Sequence, residues 1–145
     1  MKTTAILMAC SCILLPALVA TAADEASPQL AEQLRAVMAT NMKCLTEKNL
    51  DLAMSAFHSK SPGYLPTRDV TKKLFEDYNI KIRVLSLQVI GSDQDYAVAR
   101  VKYEATQDKG PAYRNSASDT MQIFRKEGKQ WKLWASASLD IKYLQ

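Results

Sequence analysis

The stretch from residue 80 to residue 144 decides the fold, because apolar and polar residues alternate along four segments of it. They read IKIRVLSLQVI (80–90), DYAVARVKYEATQ (95–107), RNSASDTMQIFRK (114–126) and QWKLWASASLDIKY (130–143). The β-branched and aromatic residues that favour strands are frequent in them. Short polar stretches at 91–93, 108–111 and Gly128 separate the segments. This pattern predicts an antiparallel meander of four strands.

The alternation also predicts which side chains face the interior. One face of the second strand carries Ala97, Ala99, Val101, Tyr103 and Ala105, and one face of the last carries Trp131, Leu133, Ala135, Ala137, Leu139 and Ile141. The first strand changes parity near Val84 and Leu85, which predicts a bulge that helps the sheet to curve. The third strand has apolar residues on both faces, so its facing stays open.

Three helices are predicted before the strands. Ser27 and Pro28 are a suitable start for the first, and Asn49 for a short second one. The third runs from residue 66 or 67 to 78, with Val70, Leu74 and Tyr78 on its packed stripe. A short chain buries this much of one sheet face only if the sheet curls around a helix. We therefore predict an α+β fold with three N-terminal helices packed in the concave face of a strongly curved, mainly antiparallel sheet of four or more strands.

The composition indicates one globular domain behind a leader. Of the 145 residues, 48% are hydrophobic and 23% charged. Lys2, the apolar run 5–19 and the small residues Ala20-Thr21-Ala22 predict a signal peptide over 1–22, cleaved near Ala22 or Ala23. The apolar run is too short for a membrane anchor. A single domain, 23–145, is then expected in the periplasm or outside the cell, with no membrane span.

Several classes of site and partner are disfavoured. Cleavage would remove Cys10 and Cys12, so Cys44 is expected to be a buried helix residue rather than half of a disulfide. One histidine, His58, and one cysteine are too few for a zinc site. The basic residues are scattered among acidic ones, which argues against nucleic acid. No phosphate-binding loop or dinucleotide motif occurs, so no cofactor is expected.

The order of elements and two local motifs resemble the nuclear transport factor 2-like superfamily. The motifs are NLDLA (49–53), which opens the second helix, and FRKEGKQWKL (124–133), a charged turn with Gly followed by Trp-x-aliphatic. The superfamily includes SnoaL-like polyketide cyclases, ketosteroid isomerases, scytalone dehydratases and limonene-epoxide hydrolases. The resemblance implies a cone of curved sheet around helices, with a cavity at its open end. Only residues 59–65 lie between the second and third helices, where many members carry a strand hairpin that walls the cavity.

Candidate catalytic residues are few. Asp119 and Arg125 of the third strand would meet Tyr103 of the second if the third strand turned the face that carries them inward. The three side chains would then supply acid–base chemistry. The last strand has Ala135 and Ala137 where many SnoaL-like members carry His or other polar residues. We therefore expect a non-catalytic, exported binding or accessory domain for a small apolar molecule. Alternatives are a small isomerase, dehydratase or cyclase-like enzyme using Asp119 and Tyr103, and a structural dimerisation module with a filled cavity.

Two sets of residues follow from the predicted facing. Met and Tyr side chains around small Ala positions are expected to line the cavity. This set is Met38, Met42, Tyr64, Tyr78, Ala99, Val101, Tyr103, Ala135 and Ala137. An outward Trp134 on the convex face predicts a homodimer, because aromatic residues anchor interfaces. That interface set is Val98, Gln122, Phe124 and Trp134.

Overall fold

The computed structural model describes residues 27–144 as three helices followed by four strands. The helices are α1 (Pro28–Glu47), α2 (Leu50–Ser55) and α3 (Tyr64–Asp77), and the strands are β1 (Asn79–Ser92), β2 (Tyr96–Lys109), β3 (Ser116–Glu127) and β4 (Gln130–Tyr143). The strands form one antiparallel sheet in the order β1-β2-β3-β4. This confirms the predicted α+β fold. The predicted signal peptide lies outside the described residues.

Polar side chains cap the first two helices as the sequence predicts. The Ser27 hydroxyl accepts from the N–H of Leu30 at 3.2 Å, and the Asn49 side-chain oxygen accepts from the N–H of Leu52 at 2.9 Å. Lys48 lies between the two helices in the left-handed conformation and donates from Nζ to the carbonyl of Phe75 at 2.8 Å. The end of α1 is thereby tied to the end of α3.

The core lies between α1 and one face of the sheet, called the inner face. Leu34 and Met38 of α1 pack on Ala97, Ala99 and Val101 of β2 together with Leu87, Phe124, Trp131 and Leu133. The indole N–H of Trp131 donates to Gln33 Oε1 at 3.1 Å, so the polar atom of this buried ring is satisfied. Cys44 is buried in α1, and burial, followed by the charge of Glu47, raises the pKa of its thiol to about 11.

The register of β2 and β3 settles the facing of the third strand. Ala99 is opposite Gln122, Val101 opposite Thr120 and Tyr103 opposite Ser118. Opposed residues share a face, so a row of polar side chains on β3 points inward and is buried: Ser116, Ser118, Thr120 and Gln122. The other parity, which includes Asp119, points to the opposite side, called the outer face.

Two bulges interrupt β4. Phe124 is opposite Leu133 but Ile123 is opposite Ala135, so Trp134 is an extra residue, and a second shift lies at Leu139. Each extra residue reverses the facing of the residues after it. The strict alternation expected for this strand is therefore wrong for Ala135 and Ala137, whereas the second reversal returns Ile141 to the inner face, opposite Ser118, as predicted. Ser136 lies on the inner face opposite Gln122, and Ala137 lies on the outer face opposite Met121. The bulge predicted in β1 is present at Leu85.

Helix α3 packs differently from the prediction. None of its residues is buried, and Val70, expected on the packed stripe, is 69% exposed. Its partly covered positions include Thr67, Thr71 and Leu74. Polar threonines thus hold positions that the apolar pattern assigned to valine. Within residues 27–144, none of the helices is long and apolar enough to cross a bilayer.

Candidate functional site

A cavity of about 500 Å³ lies between α1, the segment that joins α2 to α3, and the inner face of the sheet. All four strands and α1 contribute to it, so the site depends on the complete fold. Its lining consists of Met38, Asn41, Met42, Phe57, Ser61, Pro62, Gly63, Thr67, Ile82, Tyr103, Gln122, Leu133, Trp134, Ala135 and Ser136.

Gln122 is the most constrained polar group of the cavity. Its amide nitrogen donates to Thr120 Oγ1 at 3.1 Å and to Ser136 Oγ at 3.0 Å, and Thr120 Oγ1 donates to the carbonyl of Val101 at 3.0 Å. Both amide hydrogens are therefore used inside the protein. The carbonyl oxygen of Gln122 remains as the acceptor that this residue offers to a guest. The sequence pattern placed Gln122 in the interface set and not in the cavity, because only the strand register, with Gln122 opposite Ala99, turns it inward.

The cavity combines apolar walls with neutral hydrogen-bonding groups. Met38, Met42, Phe57 and Leu133 supply the apolar part, and Asn41, Tyr103, Gln122 and several hydroxyls supply the polar part. Among its lining residues within 27–144 there is no Asp, Glu, Lys, Arg or His. Tyr103 contributes a phenol hydroxyl to this lining. Such a site can orient a guest by hydrogen bonds but offers no carboxylate or imidazole for proton transfer.

The predicted cavity residues occupy several different places. Met38, Met42, Tyr103 and Ala135 do line the cavity. Ala99 and Val101 are fully buried in the core beneath it. Tyr64 lies at a shallower depression beside Glu127, Tyr78 packs against Tyr113 at 6.0 Å between ring centroids, and Ala137 is on the outer face.

The predicted catalytic constellation is not assembled. Tyr103 points inward, whereas Asp119 and Arg125 lie on the outer face because β3 turns the opposite parity inward. The guanidinium of Arg100 donates to both oxygens of Asp119, at 2.8 and 2.6 Å. This hydrogen-bonded pair holds the pKa of Asp119 below its ordinary value. Asp119 is an ionised partner of Arg100 and does not reach the cavity.

The predicted interface set is also divided by the sheet. Phe124 is fully buried in the core and Gln122 is in the cavity, so neither can anchor a contact on the outer face. Val98 does lie on the outer face, opposite Ile123. Trp134 is half-buried: the centroid of its ring lies 4.6 Å from Arg125 Cζ and 5.0 Å from the centroid of the His58 ring.

A second polar cluster lies outside the cavity, where the segment after α2 meets the β3–β4 turn. The carboxylate of Glu127 accepts from the N–H of Ser59 at 3.0 Å and from the Ser59 hydroxyl. His58 is buried, and its Nδ1 accepts from the N–H of Lys60 at 3.0 Å. Nδ1 is therefore not a donor to Glu127 Oε1, which is 3.6 Å away. The cluster holds the segment after α2 against the β3–β4 turn. The described residues contain no group of His, Cys, Asp and Glu suited to a metal.

Comparison with solved structures identifies the fold. A candidate scytalone dehydratase from Novosphingobium aromaticivorans superposes with a TM-score of 0.66 at 9% identity, over 79% of this chain and 87% of that one. A candidate dehydratase of the nuclear transport factor 2-like family from Streptomyces avermitilis gives 0.61 at 14% identity, over 77% and 96%. A nuclear transport factor 2-like protein of unknown function from Pseudomonas putida gives 0.63 at 10% identity, over 77% and 87%.

At identities this low, the superpositions establish the shared fold and nothing finer. They confirm the resemblance drawn from the sequence. No curated protein sequence matches the chain significantly. The sequence profile of one family does match, over residues 36–144. The chain therefore belongs to the family described as the C-terminal domain of anti-sigma-I factor RsgI9, and it has the nuclear transport factor 2-like fold.

Proposed function

We propose that the chain is a non-catalytic binding domain that takes a small, uncharged, partly apolar molecule into the cavity on the inner face. The observation that carries this proposal is the lining itself, in which apolar walls surround Asn41, Tyr103 and Gln122 without a charged side chain. A charged guest would lose its hydration there and gain no counter-charge. An uncharged guest with an N–H or O–H group can meet the carbonyl oxygen of Gln122 and bury its apolar part against Met38 and Met42.

The alternatives are weaker on the same grounds. Asp119 and Tyr103 lie on opposite faces of the sheet, which removes the constellation on which the enzyme hypothesis depended. A structural module with a filled interior does not need an open volume of about 500 Å³. The family description names a domain of an anti-sigma-I factor and no enzyme, which agrees with a domain that binds without converting its ligand.

The binding proposal is tested with two Trp substitutions on neighbouring residues of β4. Ser136→Trp places an indole on the inner face at the cavity, whereas Ala137→Trp places the same side chain on the outer face. Titration with Nile red, an uncharged fluorescent probe, should show saturable binding to wild type. We expect the Ser136→Trp variant to bind at least about tenfold more weakly, which corresponds to ~1.4 kcal/mol.

The Ala137→Trp variant is the matched control and should keep the affinity of wild type. Circular dichroism should show that both variants retain the fold. Equal loss in both variants, or no loss in the Ser136→Trp variant, would place the probe outside the cavity and contradict the proposal.

Export of the domain is part of the same proposal. It is supported by Lys2, the apolar run 5–19 and the small residues Ala20-Thr21-Ala22. N-terminal sequencing of the protein made in its native host should find a start near residue 23. Retention of Met1 would overturn the assignment.

We also propose that the chain self-associates, but not through the convex face of the sheet. Phe124 and Gln122 are turned inward, and Trp134 is half-buried beside Arg125 and His58. Two of the four residues predicted for that interface therefore cannot anchor a contact on the outer face.

A further inference from the structure

The last part of β4 is an open sheet edge. β4 is the terminal strand of the sheet. Along the edge of β4 that points away from β3, the described residues pair with it only near Leu133, whose backbone bonds to Ala56 and His58. Beyond that point every residue from 135 to 144 is exposed. Unpaired N–H and C=O groups along such an edge form a template for another strand.

The exposed residues of this edge are unusually apolar. Leu139, Ile141, Tyr143 and Leu144 account for four of the nine large apolar residues that are exposed in residues 27–144. The opposite edge, β1, is protected differently: it carries Lys81 and Arg83 and has three register irregularities. Charges and bulges of that kind discourage pairing. The β4 edge carries just Asp140 and Lys142 as charged residues beyond residue 133.

The hydrogen bonding of β4 fixes which residues can pair across the free edge. The N–H of Leu144 donates to the carbonyl of Asn115 at 2.8 Å. Backbone groups of alternate residues point to alternate sides of an antiparallel strand. Asp140 and Lys142 share the parity of Leu144 and direct their backbone toward β3, so Ile141 and Tyr143 direct theirs to the free edge.

We propose that two copies of the chain pair antiparallel through this edge, around a twofold axis at Ile141. Ile141 then forms a hydrogen-bonded pair with the partner's Ile141. Asp140 is opposite the partner's Lys142, and Lys142 is opposite the partner's Asp140. These flanking pairs are the type without backbone hydrogen bonds, in which side chains come closest. The strand is thus self-complementary in both hydrogen bonding and charge.

The neighbouring registers are excluded by charge. Backbone orientation requires that residues of the Ile141 parity face each other, so the next possible axes lie at Asp140 and at Lys142. The first would bring Asp140 against the partner's Asp140, and the second would bring Lys142 against the partner's Lys142. Like charges directly opposite each other destabilise a strand pair. Of these three registers, the one centred on Ile141 places each charged residue opposite a residue of opposite charge.

This inference rests on the proposed self-association and is independent of the cavity. It predicts a weak dimer, because a contact between two strand ends is smaller than the roughly 1,600 Å² of a standard interface. Sedimentation velocity of the purified protein, from a few micromolar to about 100 μM, should therefore show a dimer that grows with concentration.

Charge reversal provides the decisive test. Asp140→Lys places two lysines opposite each other at both flanking positions, and Lys142→Asp does the same with two aspartates. Each single variant should weaken the dimer at least about 30-fold. An equimolar mixture of the two variants should form heterodimers, because the lysine introduced in one copy then meets the aspartate introduced in the other, and the native residues meet as well. The double variant Asp140→Lys with Lys142→Asp should dimerise with itself.

Asp108→Lys is the matched control, since Asp108 is an exposed partner of Lys81 on the far side of the sheet. It makes the same change of charge and should leave the dimer unchanged. Wild type that stays monomeric at about 100 μM overturns the proposal, and so does a dimer that survives both single reversals. A mixture that fails to associate also overturns it. Nile red binding in the monomeric variants should remain at the wild-type level, which separates this outcome from failure of the cavity proposal.

Discussion

Glu127 is a single side chain that joins two distant parts of the fold. It stands at the end of β3, and its carboxylate receives both the N–H and the hydroxyl of Ser59. These hydrogen bonds, with the Ser59 hydroxyl as the largest cause, lower the pKa of Glu127 from its ordinary value of 4.5. A carboxylate that accepts such hydrogen bonds stabilises the folded state more than a neutral side chain does.

We predict that Glu127→Gln destabilises the protein by about 1–2 kcal/mol at pH 7, with a matching change in pH dependence. Because folding lowers the pKa, this stabilisation is present above pH 4.5 and is lost as the pH falls through the folded-state pKa. Urea unfolding at several pH values should show that wild type and variant converge in acid. Glu32→Gln, at a highly exposed pair with Arg35, should cost less than about 0.5 kcal/mol. A constant difference between wild type and the Glu127→Gln variant down to about pH 3 would contradict the assignment.

At this scale the sequence predicts caps better than distant contacts. Ser27 and Asn49 bond to residues three positions away, so their roles can be read locally. Ser59 and Glu127 are separated by 68 positions, and no spacing rule connects them. The cavity role of Gln122, which the sequence pattern assigned to the interface, was similarly out of reach, because its inward direction depends on its partner Ala99.

At the scale of elements, strand bounds are predictable and bulges are less so. The last strand was expected over 130–143 and is found at Gln130–Tyr143. Its two bulges were missed, since the Ala and Ser residues at 135–138 continue the alternation of Trp131 and Leu133 without a visible break. The bulge in β1 was predicted because Ile82 and Leu87 are strongly apolar on opposite parities. A bulge is therefore visible in sequence only where both of its flanks carry clear apolar side chains.

The turn between β2 and β3 provides a test at this scale. Gly110 has φ 134°, and a Cβ added there would lie 2.8 Å from the backbone oxygen of Asp77 at the end of α3. We predict that Gly110→Ala lowers the free energy of unfolding by about 2–3 kcal/mol, through backbone strain and this contact. Gly91→Ala, where the added Cβ meets nothing within 4 Å, should change it by less than about 0.5 kcal/mol. Equal urea midpoints for the two variants would show that the β2–β3 turn does not abut α3.

For the whole molecule, the fold was predictable and the site was predictable only in part. Alternation over residues 80–144 and the preceding helices specify one sheet with α1 on its inner face, which the structure confirms. The cavity lining depends on the facing of β3 and on the bulges of β4, two features decided by strand register. Gln122, one of the inward polar residues of β3, therefore lines a part of the cavity that the sequence pattern predicted to be apolar.

Stability should be distributed unevenly over the molecule. The core joins α1 to the sheet, whereas α3 has no buried residue and no side-chain hydrogen bond at its N-terminal cap. Regions with few buried apolar contacts open at lower free energy than the core. We predict that amides of α3 exchange with solvent faster than those of α1 around Leu34 and Met38. Hydrogen exchange followed by mass spectrometry should resolve the two helices.

The contact between Lys48 and α3 allows this prediction to be tested by substitution. Lys48 Nζ bonds to the carbonyl of Phe75 and holds the last turn of α3 against α1. Lys48→Asn removes the ammonium group and retains a residue type that tolerates the left-handed conformation found there. Exchange in α3 should accelerate about fivefold, the equivalent of ~1 kcal/mol, while α1 keeps its rate. Because Gly63 and Thr67 at the start of α3 line the cavity, a bound guest should slow the same amides. Exchange in α3 as slow as in β2 would show instead that the helix opens only with the whole domain.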